Sequence, residues 1–171
     1  MIFAAGLGTR LKPITDSIPK ALLPIANKPL LEHVIQKLKS AGFDQLVINV
    51  HHFPELIIDF LHANSNFGIN IYVADERYKL LDTGGAIKNI ASVFTDNEPF
   101  LVHNVDILSN IDLNDFYAEH CKNNPLATLV VSKRDTFRYL LFKENQLCGW
   151  VNEKTNETKP AGFQLNGDYQ K

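Results

Sequence analysis

Two stretches near the start of the chain carry residue types that can handle phosphate. The first is Gly6-Leu7-Gly8-Thr9-Arg10-Leu11-Lys12-Pro13, and the second is Pro19-Lys20-Ala21-Leu22-Leu23-Pro24. Both follow the apolar run Met1-Ile2-Phe3-Ala4-Ala5, which reads as a short buried strand and not as a leader. Glycines just after a strand let backbone approach a ligand with no Cβ in the way. Exposed N–H groups on such a loop attract anions. Arg10 and Lys20 add fixed positive charge, while Pro13, Pro19 and Pro24 lock φ and stiffen the loop. A stiff, cationic, glycine-bearing loop suits a triphosphate. Two familiar glycine loops are excluded by spacing. The dinucleotide fingerprint G-x-G-x-x-G meets Leu11 at its third glycine, and no G-x-x-x-x-G-K-[ST] run occurs.

Two further groups lie downstream. Asp106 closes His103-Asn104-Val105-Asp106. A carboxylate beside a triphosphate loop can hold Mg²⁺, which takes one or two carboxylates plus phosphate oxygens and water. In Asp82-Thr83-Gly84-Gly85-Ala86-Ile87, a Thr cap with paired glycines at a helix start would expose backbone N–H groups. His51, His52 and His103 fall near the same end of the expected strands. They read as backbone hydrogen-bonding or pocket-lining residues rather than as a zinc site. No Ser-His-Asp or Cys-His pairing stands out.

The elements that position these residues follow from hydrophobic periodicity. Strands are predicted over 1–5, 45–50, 68–73, 99–103 and 127–132. Helices are predicted from Leu30 to Ala41, stopped by Gly42, from Pro54 with Leu56, Ile57, Phe60 and Leu61 on one face, over 83–91, and over 113–122 capped by Asp112. Strand and helix alternate, the signal for a mostly parallel sheet with helices on both faces. Beyond that, 137–142 and 147–151 read as a hairpin joined by Lys143 to Gln146, and 152–159 as a polar loop. The expected fold is therefore α/β, a Rossmann-like three-layer sandwich with a C-terminal hairpin. Residues 1–171 are read as a single domain, incomplete at its C-terminal end.

Bulk properties narrow the classes. A net charge of −2 and a pI near 6.3 provide no global basic field for nucleic acid. No apolar run approaches the roughly 20 residues of a membrane span. Cys121 and Cys148 share no metal-type spacing, so a reducing cytoplasm is expected, with Cys121 a small buried residue on a helix.

The run G-x-G-T-R-L-x-P followed by P-K-x-L-L-P resembles the sugar-1-phosphate nucleotidyltransferases. The resemblance extends to Lys28-Pro29-Leu30, to Leu81-Asp82-Thr83-Gly84-Gly85-Ala86 and to Asp106. It is close to the mannose-1-phosphate guanylyltransferase-like and N-acetylmuramate-1-phosphate uridylyltransferase-like members. It implies transfer of a nucleoside monophosphate from a triphosphate, UTP or GTP being favoured, to a sugar 1-phosphate, with release of pyrophosphate. The product would be a nucleotide sugar for cell-wall or surface-glycan precursors. A phosphocholine-type acceptor, or a non-catalytic nucleotide-binding subunit of the same fold, are the other readings.

What the resemblance implies residue by residue is specific. Ala5, Gly6, Leu7, Gly8, Thr9 and Arg10, with Thr83, Gly84 and Gly85, would hold the nucleotide. Arg10 would neutralise pyrophosphate, Lys20 would sit near the α-phosphate or the incoming phosphate, and Asp106 would hold Mg²⁺. Positions near Asp75 and Glu76 would approach the base. In that family a glycine usually precedes the metal-binding aspartate, whereas here Val105 does. Among late carboxylates only Glu153, Glu157 and Asp168 could supply a second metal ligand, and nothing around Asp168 matches the family pattern. A homo-oligomer is among the expected assemblies. The nucleophile is already an anion, so no general base is needed, and positioning plus electrostatics suffice.

Overall fold

Residues 46–50 are apolar at every position but Asn49, the pattern of a strand covered on both faces. They form the most buried strand of a four-stranded parallel sheet in a computed structural model that describes residues 1–95, 98–160, 163, 169 and 170. The chain gathers into two compact units, Met1–Pro125 and Leu126–Lys171. In the first, chain order is β1 (Ile2–Phe3), β2 (Pro24–Ile25), β3 (Lys28–Pro29), α1 (Leu30–Ser40), β4 (Gln45–Val50), α2 (Pro54–Ala63), β5 (Asn70–Asp75), α3 (Asp82–Asn89), β6 (His103–Asn104) and α4 (Leu113–Asn123). The central sheet runs β5-β4-β1-β6, with Ile2 of β1 paired to Ile48 on one side and His103 on the other. β2 and β3 form a small antiparallel pair.

Side-chain alternation along the strands builds two cores. Ile2, Leu46, Ile48 and Val50 point to one face and pack with Leu31, Ile35, Leu38, Ile57 and Leu61 of α1 and α2, and with Leu113 of α4. Met1, Val47 and Ala74 point to the other, against Ala86 of α3 and Ile90. Helices therefore flank both faces, as expected for α/β. α1 stops where Gly42, at φ +90°, takes the left-handed conformation and Phe43 N donates to Leu38 O at 3.2 Å. Asp112 caps α4, accepting from Asn114 N at 2.8 Å and Asp115 N at 3.1 Å.

Several elements differ from the sequence reading. β1 and β6 keep ladder pairing for only two residues each, because the chain leaves the sheet at its carboxyl edge. β5 begins at Asn70 because Ser65–Gly68 first makes a 3₁₀ turn. Leu56 of α2 is exposed. Cys121 lies on α4 as expected but is exposed, since of that helix only Leu113 is fully buried. The stretch 127–132 is not a strand, since no described residue supplies it with a ladder, and Leu129, Val130 and Val131 stay exposed.

The second unit is an antiparallel sheet of β7 (Arg138–Lys143), β8 (Gln146–Asn152) and β9 (Glu157–Lys159). The hairpin loop is two residues, Glu144 and Asn145, both at positive φ, which matches the strand twist. The polar stretch 152–159 is a turn followed by β9, which pairs with β8 through Val151 and Thr158. Asp168 lies outside the described residues. No helix among the described residues is long and apolar enough to cross a membrane.

Candidate active site

The sheet order reverses at β1. The chain winds outward from β1 through β4 to β5, then returns to set β6 on the other side of β1. Such a reversal splays the connections apart and leaves a crevice beyond the strands' carboxyl ends. A cleft of about 220 Å³ lies there. Ala4, Ala5 and Gly6 line it after β1, Asn49 from β4, and Asn104, Val105 and Asp106 from β6. Leu80, Asp82 and Thr83 form the wall by α3, and Lys20 enters from the proline-braced loop.

The two loop glycines have different reasons to be glycine. A Cβ on Gly6 would meet nothing within 4 Å, so its bare backbone faces open space in the cleft. Gly8 sits at φ +63°, and a Cβ there would stand 2.8 Å from Thr15 Cγ2 and 3.3 Å from Lys20 Cβ. Thr15 Oγ1 in turn donates to Gly8 O at 3.0 Å. Gly8 thus lets the loop fold onto its own return segment and deliver Lys20 to the cleft.

Lys20 Nζ and Asp106 Oδ2 form an ion pair, with side chains 19% and 36% exposed. A cation and a carboxylate separated by 86 residues of chain meet on one cleft wall. Val105 packs into the core and its N–H donates to Phe3 O at 3.1 Å, which leaves Asp106 free to face the cleft. Arg10 lies on the 3₁₀ turn Thr9–Leu11, exposed and without an ion pair or hydrogen bond to any described residue. Leu7, Gly8, Thr9 and Arg10 are outside the cleft lining, as are Gly84 and Gly85. Thr83 is not the helix cap. Leu81 holds the cap position, and Thr83 N donates to Asp82 Oδ1 at 2.8 Å.

The histidines serve the backbone. His51 Nδ1 lies 2.7 Å from Glu76 O and His52 Nε2 lies 3.1 Å from Thr15 O, so neither lines the cleft. Burial pushes the His103 imidazole below its ordinary value, against the opposing pull of Asn104 O at 2.7 Å. Asp75 is taken up by Arg77, whose hydrogen bond holds its carboxyl below the usual range, and Arg77 also reaches Glu55 at 2.6 Å. Glu76 turns inward and is buried. Asn49 and Leu80 were not singled out from sequence. A lone Asn near the end of an otherwise apolar strand is the signal that marks Asn49.

The nucleotidyl transferase family profile matches residues 1–155. The chain belongs to this family. It is 40% identical over 108 residues to the N-acetylmuramate alpha-1-phosphate uridylyltransferase of Caulobacter vibrioides, covering 62% of this chain and 44% of that protein. It is 38% identical over 135 residues to the mannose-1-phosphate guanyltransferase of Gibberella zeae, covering 78% and 37%. HddC from Yersinia pseudotuberculosis, solved with GMP-PN, superposes with a TM-score of 0.62 at 30% identity over 70% of this chain and 52% of that one. A Bacillus anthracis structure described as a putative glucose-1-phosphate thymidylyltransferase superposes at 0.77 but 21% identity, which bears on the fold alone. This nucleotidyl transferase chain spans less than half the length of these two curated relatives.

Proposed function

We propose that this chain forms the nucleotide-binding part of an enzyme that transfers a nucleoside monophosphate from UTP or GTP to a sugar 1-phosphate. The product is a nucleotide sugar for surface-glycan or cell-wall precursors, made in the cytoplasm. One observation carries the reading. Lys20 and Asp106 converge at the β1/β6 reversal, beside the unobstructed backbone of Gly6.

The division of labour follows from charge. Gly6 lets the phosphate chain lie against the loop N–H groups. Lys20 supplies positive charge on the cleft wall, where it can offset charge developing on the transferred phosphoryl group. Arg10, exposed on the 3₁₀ turn of the same loop, offers a fork of donors to the leaving pyrophosphate. Among the described residues no three His, Cys, Asp or Glu side chains cluster to cage a metal. A single partly exposed carboxylate, completed by phosphate and water, suits Mg²⁺, so Asp106 is the residue that would hold it. Bound there, Mg²⁺ would neutralise phosphate charge.

The test is a nucleotide panel on the 171-residue chain, read by thermal shift and titration with and without Mg²⁺. UTP or GTP at 100 times its dissociation constant should stabilise the chain by about 2.7 kcal/mol. Asp106→Asn should abolish the Mg²⁺ enhancement. In a protein of the relatives' full length, pyrophosphate release should require a sugar 1-phosphate and not phosphocholine. Failure of every triphosphate to bind sinks the assignment.

A further inference from the structure

The two walls of the cleft are tied together underneath by one chain of three hydrogen bonds, two buried and one part-buried. Asn49 and Glu76 are each 3% exposed. Ala4 N, at the point where β1 leaves the sheet, donates to Asn49 Oδ1 at 2.9 Å. Asn49 Nδ2 donates to Glu76 Oε1 at 2.9 Å. Glu76 Oε2 accepts from Leu81 N at 3.1 Å, just before α3. Every polar atom of the two end groups is used, and no buried side-chain N or O among the described residues is left without a partner. Ala4 leads into the phosphate-side wall of Ala5 and Gly6. Leu81 sits between Leu80 and Asp82 of the opposite wall.

We infer that Asn49 and Glu76 are positioning residues that set the gap between the phosphate-side wall and the α3-side wall. This rests on the nucleotide reading of the cleft. The pairing of β4 with β5 does not depend on these side chains, because it runs through six registered residue pairs. What the buried link adds is a fixed path from the end of β1 to the connection before α3. A ligand that touches both walls depends on that path. A ligand that touches only the phosphate-side wall does not. Glu76 is buried and is not among the residues that line the cleft, so it acts on a ligand through Asn49 and Leu81.

The bond pattern supplies its own test. In Glu76→Gln an amide NH₂ must face either Asn49 Nδ2 or Leu81 N, so one link fails. In Asn49→Asp two carboxyl groups face each other with no donor between them unless one takes up a proton, so the middle link is lost or becomes pH-dependent. In the double variant Asn49→Asp/Glu76→Gln the roles are exchanged. The new carboxylate at position 49 accepts from Ala4 N and from the new amide at position 76, whose oxygen accepts from Leu81 N. All three links return with one carboxyl and one amide, as in the native pair.

The experiment titrates the native chain and the three variants with the nucleoside triphosphate found in the panel above, and separately with inorganic tripolyphosphate. Each single variant should weaken the nucleotide by about tenfold, equivalent to about 1.4 kcal/mol. Tripolyphosphate affinity should move by less than about twofold, and the double variant should regain native nucleotide affinity. Equal weakening of both ligands, or no rescue, overturns the inference. If the single variants do not fold, amide exchange in the native chain decides. The Leu81 amide should exchange slowly in the free protein, and rapid exchange there overturns the link. Loss of all nucleotide binding in the native chain would instead defeat the functional reading, a distinct result.

Discussion

The loop glycines give the sharpest test of how structure divides roles within one motif. From sequence, Gly6 and Gly8 share one reason, close approach of a ligand. In the folded chain only Gly6 faces open space. Gly8→Ala should cost stability through two terms. A non-glycine residue at φ +63° costs roughly 1–2 kcal/mol. The added Cβ also meets Thr15 Cγ2 at 2.8 Å, and Thr15 cannot rotate aside without losing its 3.0 Å bond to Gly8 O. Overpacking of this kind costs about 1–3 kcal/mol, for a total of about 2–5 kcal/mol. At roughly 2–4 °C per kcal/mol for a chain of this size, the melting temperature should fall by at least about 4 °C. Gly6→Ala, with no atom within 4 Å, should stay within about 0.5 kcal/mol of native stability. Its effect should appear instead as weaker triphosphate binding. Urea titrations and nucleotide titrations of both variants separate the cases. Equal destabilisation by the two substitutions, or native nucleotide affinity in Gly6→Ala, would refute the reasoning.

Three other outcomes are expected. Lys20→Ala should lower kcat in a full-length enzyme by orders of magnitude while nucleotide affinity falls far less, because only interactions stronger in the transition state alter the chemical step; near-native turnover removes Lys20 from the mechanism. Arg10→Lys should bind triphosphate more weakly by direct titration, since lysine cannot reproduce a bidentate phosphate contact, and unchanged affinity would mean that Arg10 points elsewhere. The folded chain holds the His103 imidazole below its ordinary value, chiefly through burial, so the unfolded chain binds the extra proton first. Stability should fall as pH drops through the ordinary imidazole value of about 6.5 and level off below the folded one. His103→Asn should flatten the urea midpoint between about pH 7.5 and 5, and an identical slope in that variant would contradict the assignment.

Local chemistry made much of this protein legible in its residues. The largely apolar run of 46–50 and the periodic faces of α1 and α2 specify a buried strand and two covering helices, because burial alone decides such elements. Asp112 and Gly42 mark helix ends through short-range hydrogen bonding and backbone freedom, and both act as read. The motif around Gly6 to Pro13 points to phosphate because glycines, cations and prolines act within one loop. Contacts across the chain were beyond that reach. Tertiary packing alone pairs Lys20 with Asp106, sets Gly8 against Thr15, and turns Glu76 inward to Asn49 and Leu81. Among the described residues it also leaves 127–132 without a ladder, although its composition suits a strand, because a strand exists only where another strand pairs with it. Sequence sets what each segment can bury or bond. Which distant segment meets it is settled by the order of strands in the sheet, and the cleft exists because that order reverses at β1.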